Sequence, residues 1–340
     1  MPNAARNRPR SSPARRDVAG GVTAGTTGDT RTVMRSRYAS RSLLSTRLAG
    51  PAHAIAETEC FSRPPDLQTR MPCNLAKTML STQLISQIPS VPVQFRFDDT
   101  TITINLPHAA ALLTETKARM AARQGFALAT INLDHLVKLK TDASFRRAYA
   151  AQDLVVADGN PIVWLSRLAR RPVQLVPGSE MVVPLARIAA QTGAKVALLG
   201  STETALAAAA EALRAEVPGV DIALQIAPPM GFDPEGAEAD AMLRLLETSG
   251  IGLTFIALGA PKQERLAARG RALAPHVGFA SIGAGLDFLA GTQTRAPEWV
   301  QKIAMEWAWR MMSNPRRLFG RYAACFRILP GEALKALRSR

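Results

Sequence analysis

The sequence predicts an α/β fold with a doubly wound, mostly parallel sheet. Short, mainly apolar runs recur along the chain, segments of helical composition separate them, and polar, Gly-containing loops follow most of them. Strands that are apolar along their whole length are typical of parallel sheets covered by helices on both faces. The runs are Phe126–Leu133, Leu154–Ala157, Val196–Leu199, Ile222–Ile226, Leu253–Leu258 and Gly278–Ile282.

A β-hairpin is the first predicted element. Val93–Phe97 and Thr100–Leu106 alternate apolar and polar residues on either side of Asp98-Asp99, which is the pattern of two half-buried strands. The remaining layout is Rossmann-like, with a basic helical appendage at the C-terminus. Helices are predicted over Ala109–Gln124, Ala205–Glu216 and Ala237–Glu247.

The charge distribution divides the chain into three predicted parts. The net charge is +15, of which residues 1–78 carry +8 and residues 295–340 carry +7, so the middle is neutral. A neutral middle argues against a nucleic-acid partner for the fold itself. We predict a disordered N-terminal extension at 1–88, or a mis-called one with the true start at Met71 or Met79, then a core at 89–297 and an amphipathic appendage at 298–340.

Cysteine spacing and hydropathy restrict the class of protein further. Cys60, Cys73 and Cys325 show no spacing typical of a disulfide framework or a zinc site. The chain has no run of about 18 apolar residues, the length that a membrane-spanning helix needs. We therefore expect a cytoplasmic protein whose membrane contact, if any, is peripheral.

Five predicted strands end in loops with polar or glycine residues. In parallel sheets, ligands bind at the carboxyl ends of the strands. The sequence therefore predicts a substrate crevice at that edge of the sheet. Its candidate residues are Thr130, Asn132, Asp158, Gly200, Lys262, Gln263, Gly283, Gly285 and Asp287.

Asp158 is the candidate catalytic residue. A carboxylate with an ordinary pKa of about 4 is ionised at neutral pH and can accept a hydroxyl proton. A plain Asp-Gly turn is the alternative interpretation. Thr130 and Asn132 offer hydroxyl and amide groups suited to sugar hydroxyls, or they bond the backbone at the strand end.

Three other candidates also have two interpretations each. Lys262 can meet phosphate charge or be solvated. Gly200 precedes a helix start whose free N–H groups suit a phosphate, although Ser201 or Thr202 can simply cap that helix. Asp287 can bind ribose or uracil, or it can cap local backbone.

The C-terminal segment combines tryptophans with basic residues. Trp299, Trp307 and Met311 lie on one helical stripe, and arginines follow a break at Asn314-Pro315. Such a composition suits an anionic membrane surface, where each basic residue contributes about 1 kcal/mol. Alternatively, the stripe packs on the core and the arginines are solvated. We expect 298–312 mostly to pack and 315–340 to touch lipid.

Several motifs occur along the chain in a characteristic order. They are T-x-N at Thr130, D-G at Asp158, Gly259-Ala260-Pro261-Lys262-Gln263-Glu264, Gly283–Gly291, Arg295-Ala296-Pro297-Glu298-Trp299, and N-P-R-R-L-F-G-R-Y from Asn314. Together they resemble the WecG/TagA/CpsF family of bacterial glycosyltransferases. The resemblance spans about residues 91–325 and is to N-acetylmannosaminyltransferase-like enzymes of glycosyltransferase family 26.

This resemblance implies an inverting transfer of a sugar from a UDP-sugar to a polyprenyl-diphosphate-linked sugar, in cell-surface or exopolysaccharide biosynthesis. Asp158 would be the general base, and Thr130, Asn132 and Gln263 would lie at the donor sugar. The tail would dock on the inner face of the cell membrane and supply arginines for diphosphate. The arginine candidates are Arg310, Arg316, Arg317 and Arg321.

Neither a metal nor another cofactor is expected. No Asp-x-Asp pair lies near the crevice, and the resemblance implies a metal-independent reaction in which cationic side chains and helix ends stabilise the leaving diphosphate. Whether the chain forms a homo-oligomer stays open.

One departure from the family pattern concerns the donor sugar. The family usually carries Arg where Leu175 stands and Asp where Glu180 stands, so UDP-glucose or a UDP-uronate is an alternative to UDP-N-acetylmannosamine. A nucleotide-binding oxidoreductase is a rival function, weakened because Gly283-Ala284-Gly285 lacks the third glycine of G-x-G-x-x-G. A non-catalytic RNA- or membrane-binding protein is a second rival, weakened by the neutral middle.

Overall fold

The computed structural model describes residues 92–293, 296–297, 300, 305–313 and 315–340. The predicted N-terminal extension at 1–88 lies outside the described residues. So do Arg295 and Trp299, and the side chains of Arg310 and Arg317.

The predicted hairpin opens the described fold. Strands β1 (Val93–Arg96) and β2 (Thr101–Ile104) pair antiparallel, with Val93 opposite Ile104. Val93, Phe95, Ile102 and Ile104 are buried on one face of the hairpin and pack into the core, because alternate residues of a strand share a face.

Six parallel strands form the main sheet, which confirms the predicted fold class. Their order across the sheet is β4-β3-β8-β7-β5-β6, so the last two strands of the chain insert beside β3 and β5. The strands are β3 (Phe126–Ile131), β4 (Leu154–Ala157), β5 (Lys195–Gly200), β6 (Ile222–Ile226), β7 (Ile251–Ala257) and β8 (Gly278–Ser281).

Helices cover both faces of this sheet, as the apolar runs predict. One face packs against α1, α5, α6 and α9, and the other against α2, α3, α7 and α8. The helices are α1 (Ala109–Ala121), α2 (Leu133–Thr141), α3 (Ala143–Ala150), α4 (Asn160–Leu168), α5 (Gly178–Thr192), α6 (Glu203–Glu216), α7 (Ala237–Thr248), α8 (Lys262–Leu273), α9 (Gly285–Leu289), α10 (Glu306–Ser313) and α11 (Pro315–Arg338).

Strand β3 is shorter than the apolar run that predicts it. The run extends to Leu133, but the strand ends at Ile131 because Asn132 caps α2. Its side-chain Oδ1 accepts a hydrogen bond of 3.0 Å from the backbone N–H of His135. Apolar residues such as Leu133 suit a strand and a buried helix equally, so hydropathy could not place this boundary.

The C-terminal helix α11 packs one side against the core. Leu318, Cys325 and Glu332 are buried, and Glu332 pairs with Lys140 of α2 at 2.9 Å. Trp307 of α10 contacts the ring of Phe326 edge-on, with centroids 5.1 Å apart. The prediction that 315–340 touches lipid therefore applies only to the outward side of α11. Among the described helices, none has the length and hydropathy to cross a bilayer.

Candidate active site

Thr130 and Asp158 meet where β3 and β4 end. The two strands are neighbours in the sheet, with Thr130 opposite Val156 and Ile131 opposite Ala157. The Thr130 side chain is 4% exposed, and its hydroxyl donates a 3.3 Å hydrogen bond to Oδ2 of Asp158. The structure thus brings these two predicted site residues into contact, and Asp158 is half-buried.

Gly159 turns the chain directly out of β4 into α4. Its φ of 103° lies in a region that only glycine adopts readily, so the turn requires this residue. Asp158 consequently stands next to the start of α4, whose first N–H groups carry partial positive charge. That position favours a negatively charged carboxylate or substrate group.

Asn132 lies beside this turn and has a structural task of its own. A methyl group placed on Gly159 would lie 3.8 Å from Cβ of Asn132, so the two residues are neighbours. Because the side-chain oxygen caps α2, the amide Nδ2 is the group left for a substrate hydroxyl. Asn132 is half-buried.

The start of α5 lies against the ends of β3 and β8. A methyl group on Gly178 would lie 3.1 Å from Cγ2 of Thr130 and 3.2 Å from Cα of Ile282. A methyl group on Gly285 would lie 3.2 Å from Cα of Ser179. The first N–H groups of α5 therefore lie close to Thr130, where they suit an anion. The sequence analysis named only Leu175 and Glu180 near this helix start and did not place it at the site; the Pro177-Gly178 pair before an apolar periodic segment was the available signal.

Gln263 joins two of the predicted loops. Its Oε1 accepts a 3.2 Å hydrogen bond from the backbone N–H of Gly283, and its Nε2 donates at 2.8 Å to Oε1 of Glu264. Both ends of the amide are bonded inside the protein, and Gln263 is only 2% exposed. Contact between Gln263 and a donor sugar stays a prediction.

Lys262 points to another part of the molecule. Its Nζ donates a 2.8 Å hydrogen bond to the backbone oxygen of Phe232, in the connection between β6 and α7. The amine thus holds that connection against the start of α8. The role of Lys262 at a phosphate also stays a prediction.

Gly200 and Asp287 belong to a hydrogen-bonded corner at the end of β5. A methyl group on Gly200 would lie 2.5 Å from the backbone oxygen of Ala257, so the close approach of β5 and β7 requires glycine. Ser201 donates a 2.6 Å hydrogen bond to Oδ1 of Asp287, and Gln293 donates at 3.0 Å to Oδ2. The cap of α6 is Thr202, the simpler of the two alternatives for this helix start. Both carboxylate oxygens of Asp287 are therefore engaged within the protein.

The described tail arginines differ in their surroundings. Arg316 is exposed, whereas the guanidinium of Arg321 lies 3.0 Å from Oδ2 of Asp134. Asp134 also accepts a 2.6 Å hydrogen bond from Lys138, which donates a second one of 3.1 Å to the backbone oxygen of Ala260. Arg321 thus binds Asp134, which lies two positions after Asn132 in the sequence.

Glu264, His135 and Tyr149 form a buried polar cluster beneath these loops, which the sequence analysis did not predict. Burial raises the pKa of Glu264 to about 7 and lowers the pKa of His135 to about 3, because each charged form loses its hydration. Nε2 of His135 lies 4.0 Å from Oε1 of Glu264, and Nδ1 lies 3.2 Å from the hydroxyl of Tyr149. The available signal was an acid in the first turn of a helix that directly follows a buried strand.

The arrangement supplies a proton acceptor, hydroxyl and amide donors and two helix starts at one sheet edge. Among the described residues, no group of three or more His, Cys, Asp or Glu is placed to hold a metal ion. These groups suit the activation of a hydroxyl nucleophile and the binding of an anionic leaving group.

A comparison with known protein families agrees with this chemistry. The family model described as "Glycosyl transferase WecG/TagA/CpsF family" matches residues 98–340. The match runs from the β1–β2 turn through the sheet and the appendage to the C-terminus. Since it covers well over half of the chain, the protein belongs to the WecG/TagA/CpsF family of glycosyltransferases.

Proposed function

We propose that this chain is an inverting glycosyltransferase that moves a sugar from a UDP-sugar to a polyprenyl-diphosphate-linked sugar, at the inner face of the cell membrane. The observation that carries the proposal is the contact between Thr130 and Asp158 at neighbouring strand ends, in a chain of a glycosyltransferase family. The product belongs to a cell-surface polysaccharide or exopolysaccharide.

Asp158 acts as the general base of this reaction. Its carboxylate accepts the proton of the acceptor hydroxyl while that oxygen forms a bond to C1 of the donor sugar. The bond from C1 to the UDP oxygen breaks in the same step, and UDP leaves with the electron pair. A single displacement inverts the configuration at C1. Thr130 supports this role because its hydroxyl holds one oxygen of the carboxylate in place.

Donor binding uses the groups around Asp158. Thr130 and Asn132 lie at the sugar hydroxyls, and Gln263 supports the same region. The starts of α4 and α5 favour the diphosphate, together with tail arginines such as Arg316 and Arg321. With Leu175 and Glu180 at the positions named above, the donor is UDP-N-acetylmannosamine, UDP-glucose or a UDP-uronate.

The outward side of α11 is the proposed membrane contact. Phe319 and Phe326 are 68% and 52% exposed, and they lie seven residues apart, on one side of the helix, where the ring of Phe326 also contacts Trp307. Leu334 and Leu337 extend this side, and the basic excess of residues 295–340 suits anionic lipid headgroups.

The experiment that tests the reaction measures UDP release from a panel of UDP-sugars, with a short-chain polyprenyl-diphosphate-sugar as acceptor. We expect acceptor-dependent release with one donor. In the Asp158→Asn variant, kcat should fall by about 10²- to 10⁴-fold, because the amide cannot accept the proton. Circular dichroism and UDP binding control for folding. A folded Asp158→Asn variant with wild-type turnover would exclude Asp158 as the base.

The membrane contact is tested by flotation with vesicles of phosphatidylglycerol and phosphatidylcholine. Replacing Phe319 and Phe326 by Ser should weaken binding to anionic vesicles at least tenfold, because burying one Phe side chain is worth about 1.5–3 kcal/mol. Met230→Ser is the matched control, since Met230 is fully exposed on the connection between β6 and α7. Equal binding by the double variant and the control would place the lipid contact elsewhere.

A further inference from the structure

The side chain of Gln263 acts as a bridge between the loop after β7 and the glycine turn after β8. Its carbonyl oxygen holds the N–H of Gly283 and its amino group donates to Glu264. The two ends of an amide are chemically different, one an acceptor and the other a donor. An acceptor at Glu264 and a donor at Gly283 therefore fix the orientation of the Gln263 amide.

Glu264 is placed to accept this hydrogen bond from Gln263. The residue is completely buried, and its Oε2 has no hydrogen-bond partner among the described residues. Its Oε1 accepts from Gln263, while Nε2 of His135 is 4.0 Å away. Burying a carboxyl group without full compensation costs several kcal/mol, so an apolar side chain would stabilise this position better. Stability alone therefore does not explain an acid at this position.

The glycine turn that Gln263 holds is a wall of the site. Ile282, directly before Gly283, lies against Gly178, and Gly178 lies against Thr130. Thr130 in turn donates to the Asp158 carboxylate. A shift of the turn would thus reach the proposed base through two close contacts and one hydrogen bond. Misplacement of reacting groups by about 1 Å can cost on the order of a hundredfold in rate.

We propose that Glu264 and Gln263 form a positioning pair for the transfer reaction: Glu264 orients the Gln263 amide, and the amide holds the Gly283 turn, whose neighbour Ile282 lies against Gly178. The inference rests on the proposed function, and it assigns to Gln263 a role through the turn in place of contact with the sugar. Near neutral pH the buried carboxyl group is close to its pKa of about 7. Its ionised and protonated forms both keep an oxygen that accepts from Gln263, and so does the Gln side chain of a Glu264→Gln variant.

The test is a double-mutant cycle with Gln263→Met, Glu264→Met and the double variant, beside Glu264→Gln. We expect each Met variant to lower kcat about ten- to hundredfold, with the donor KM within about twofold of wild type. The double variant should be no worse than the poorer single one, because both changes break the same bridge. Glu264→Gln should stay within about threefold of wild type.

Three results would overturn the positioning role. They are a rise in donor KM without loss of kcat in Gln263→Met, effects of the two Met changes that multiply in the double variant, and a Glu264→Gln variant as impaired as Glu264→Met. If Glu264→Met does not fold, Gln263→Met and Glu264→Gln still decide the question.

Amide hydrogen exchange separates this inference from the proposed function. The N–H of Gly283 should exchange faster in Gln263→Met than in wild type, whereas Glu264→Gln should protect it as wild type does. This readout needs no substrate. Absence of turnover in wild type would count against the proposed function, and unchanged exchange in Gln263→Met would count against the positioning pair.

Discussion

A single methyl group at Gly178 tests how tightly the candidate site is built. In a Gly178→Ala variant, the new Cβ would lie 3.1 Å from Cγ2 and 3.2 Å from Oγ1 of Thr130, and 3.2 Å from Cα of Ile282. Carbon atoms in optimal contact are about 3.5–4.0 Å apart. The methyl group would therefore overlap with a side chain on β3 and with the backbone after β8, and the backbone cannot rotate away.

Two opposing effects set the magnitude. Replacing Gly by Ala where the backbone is unstrained stabilises a protein by about 0.4–1 kcal/mol, because the unfolded chain loses freedom. Overfilling a packed site costs about 1–3 kcal/mol. We expect the overlap to prevail in Gly178→Ala, with a net loss of about 1–2 kcal/mol. Turnover should fall on the order of tenfold as well, because Thr130 moves relative to Asp158.

Denaturant unfolding and UDP release measure the two effects. Gly320→Ala is the matched control: Gly320 lies inside α11, and among the described residues no atom outside the adjacent turns of the helix lies within 4 Å of a methyl group placed there. This variant should gain up to about 1 kcal/mol from the higher helix propensity of Ala, with wild-type turnover. A Gly178→Ala variant that is as stable and as active as wild type would refute the close packing of α5 on Thr130.

Two further predictions concern charge. Burial holds the pKa of Glu264 at about 7 against an ordinary 4.5, so the folded protein retains a proton that the unfolded chain releases. The contribution of this carboxyl group to stability therefore falls as pH rises from 4.5 to 7, by about 3 kcal/mol. Unfolding curves at pH 5 and 7.5 should show that the free energy of unfolding of Glu264→Gln, relative to that of wild type, is higher at pH 7.5. A difference in the free energy of unfolding that is the same at both pH values would contradict the retained proton on Glu264. Asp134→Asn removes the partner of Arg321 and Lys138, so limited proteolysis should cut the appendage faster than in wild type or in Asp99→Asn, which loses an exposed pair. Equal cutting rates would show that apolar packing alone holds α11.

The fold class could be predicted because the hydropathy pattern reports local burial. Strand β4 coincides with the run Leu154–Ala157, and β6 with Ile222–Ile226, since both are short and bounded by polar loops. Helices were predicted less completely, because α4 and α5 are not among the predicted helices. Pro184 inside α5 also weakens a helical interpretation, although tertiary packing overrides such local preferences, whereas Pro161 in the first turn of α4 is compatible with a helix start.

The candidate site was predicted as a set of loops but not as a set of contacts. Asp158 and Thr130 could be expected to meet, because consecutive parallel strands are usually neighbours. The contact of Gln263 with Gly283 depends on β8 lying beside β7, and that of Gly178 with Ile282 depends on the path of α5. The local hydropathy pattern determines neither the order of the strands in the sheet nor the path of a helix across it. The partners of Lys262 and Arg321 were unpredictable for the same reason.

The ion pair of Arg321 bears on how the appendage could serve the site. The Arg321 side chain is 43% exposed and that of Asp134 is 10% exposed, so water screens the pair from the arginine side, and its contribution is about 1 kcal/mol. A diphosphate that draws Arg321 toward the strand ends must break this pair, but the cost is small beside a charge-assisted, bidentate contact with phosphate. Lys138 stays on Asp134 in that exchange and keeps the carboxylate paired. The resting contact of Arg321 is therefore compatible with a role in diphosphate binding, and it keeps the arginine beside α2, whose cap is Asn132.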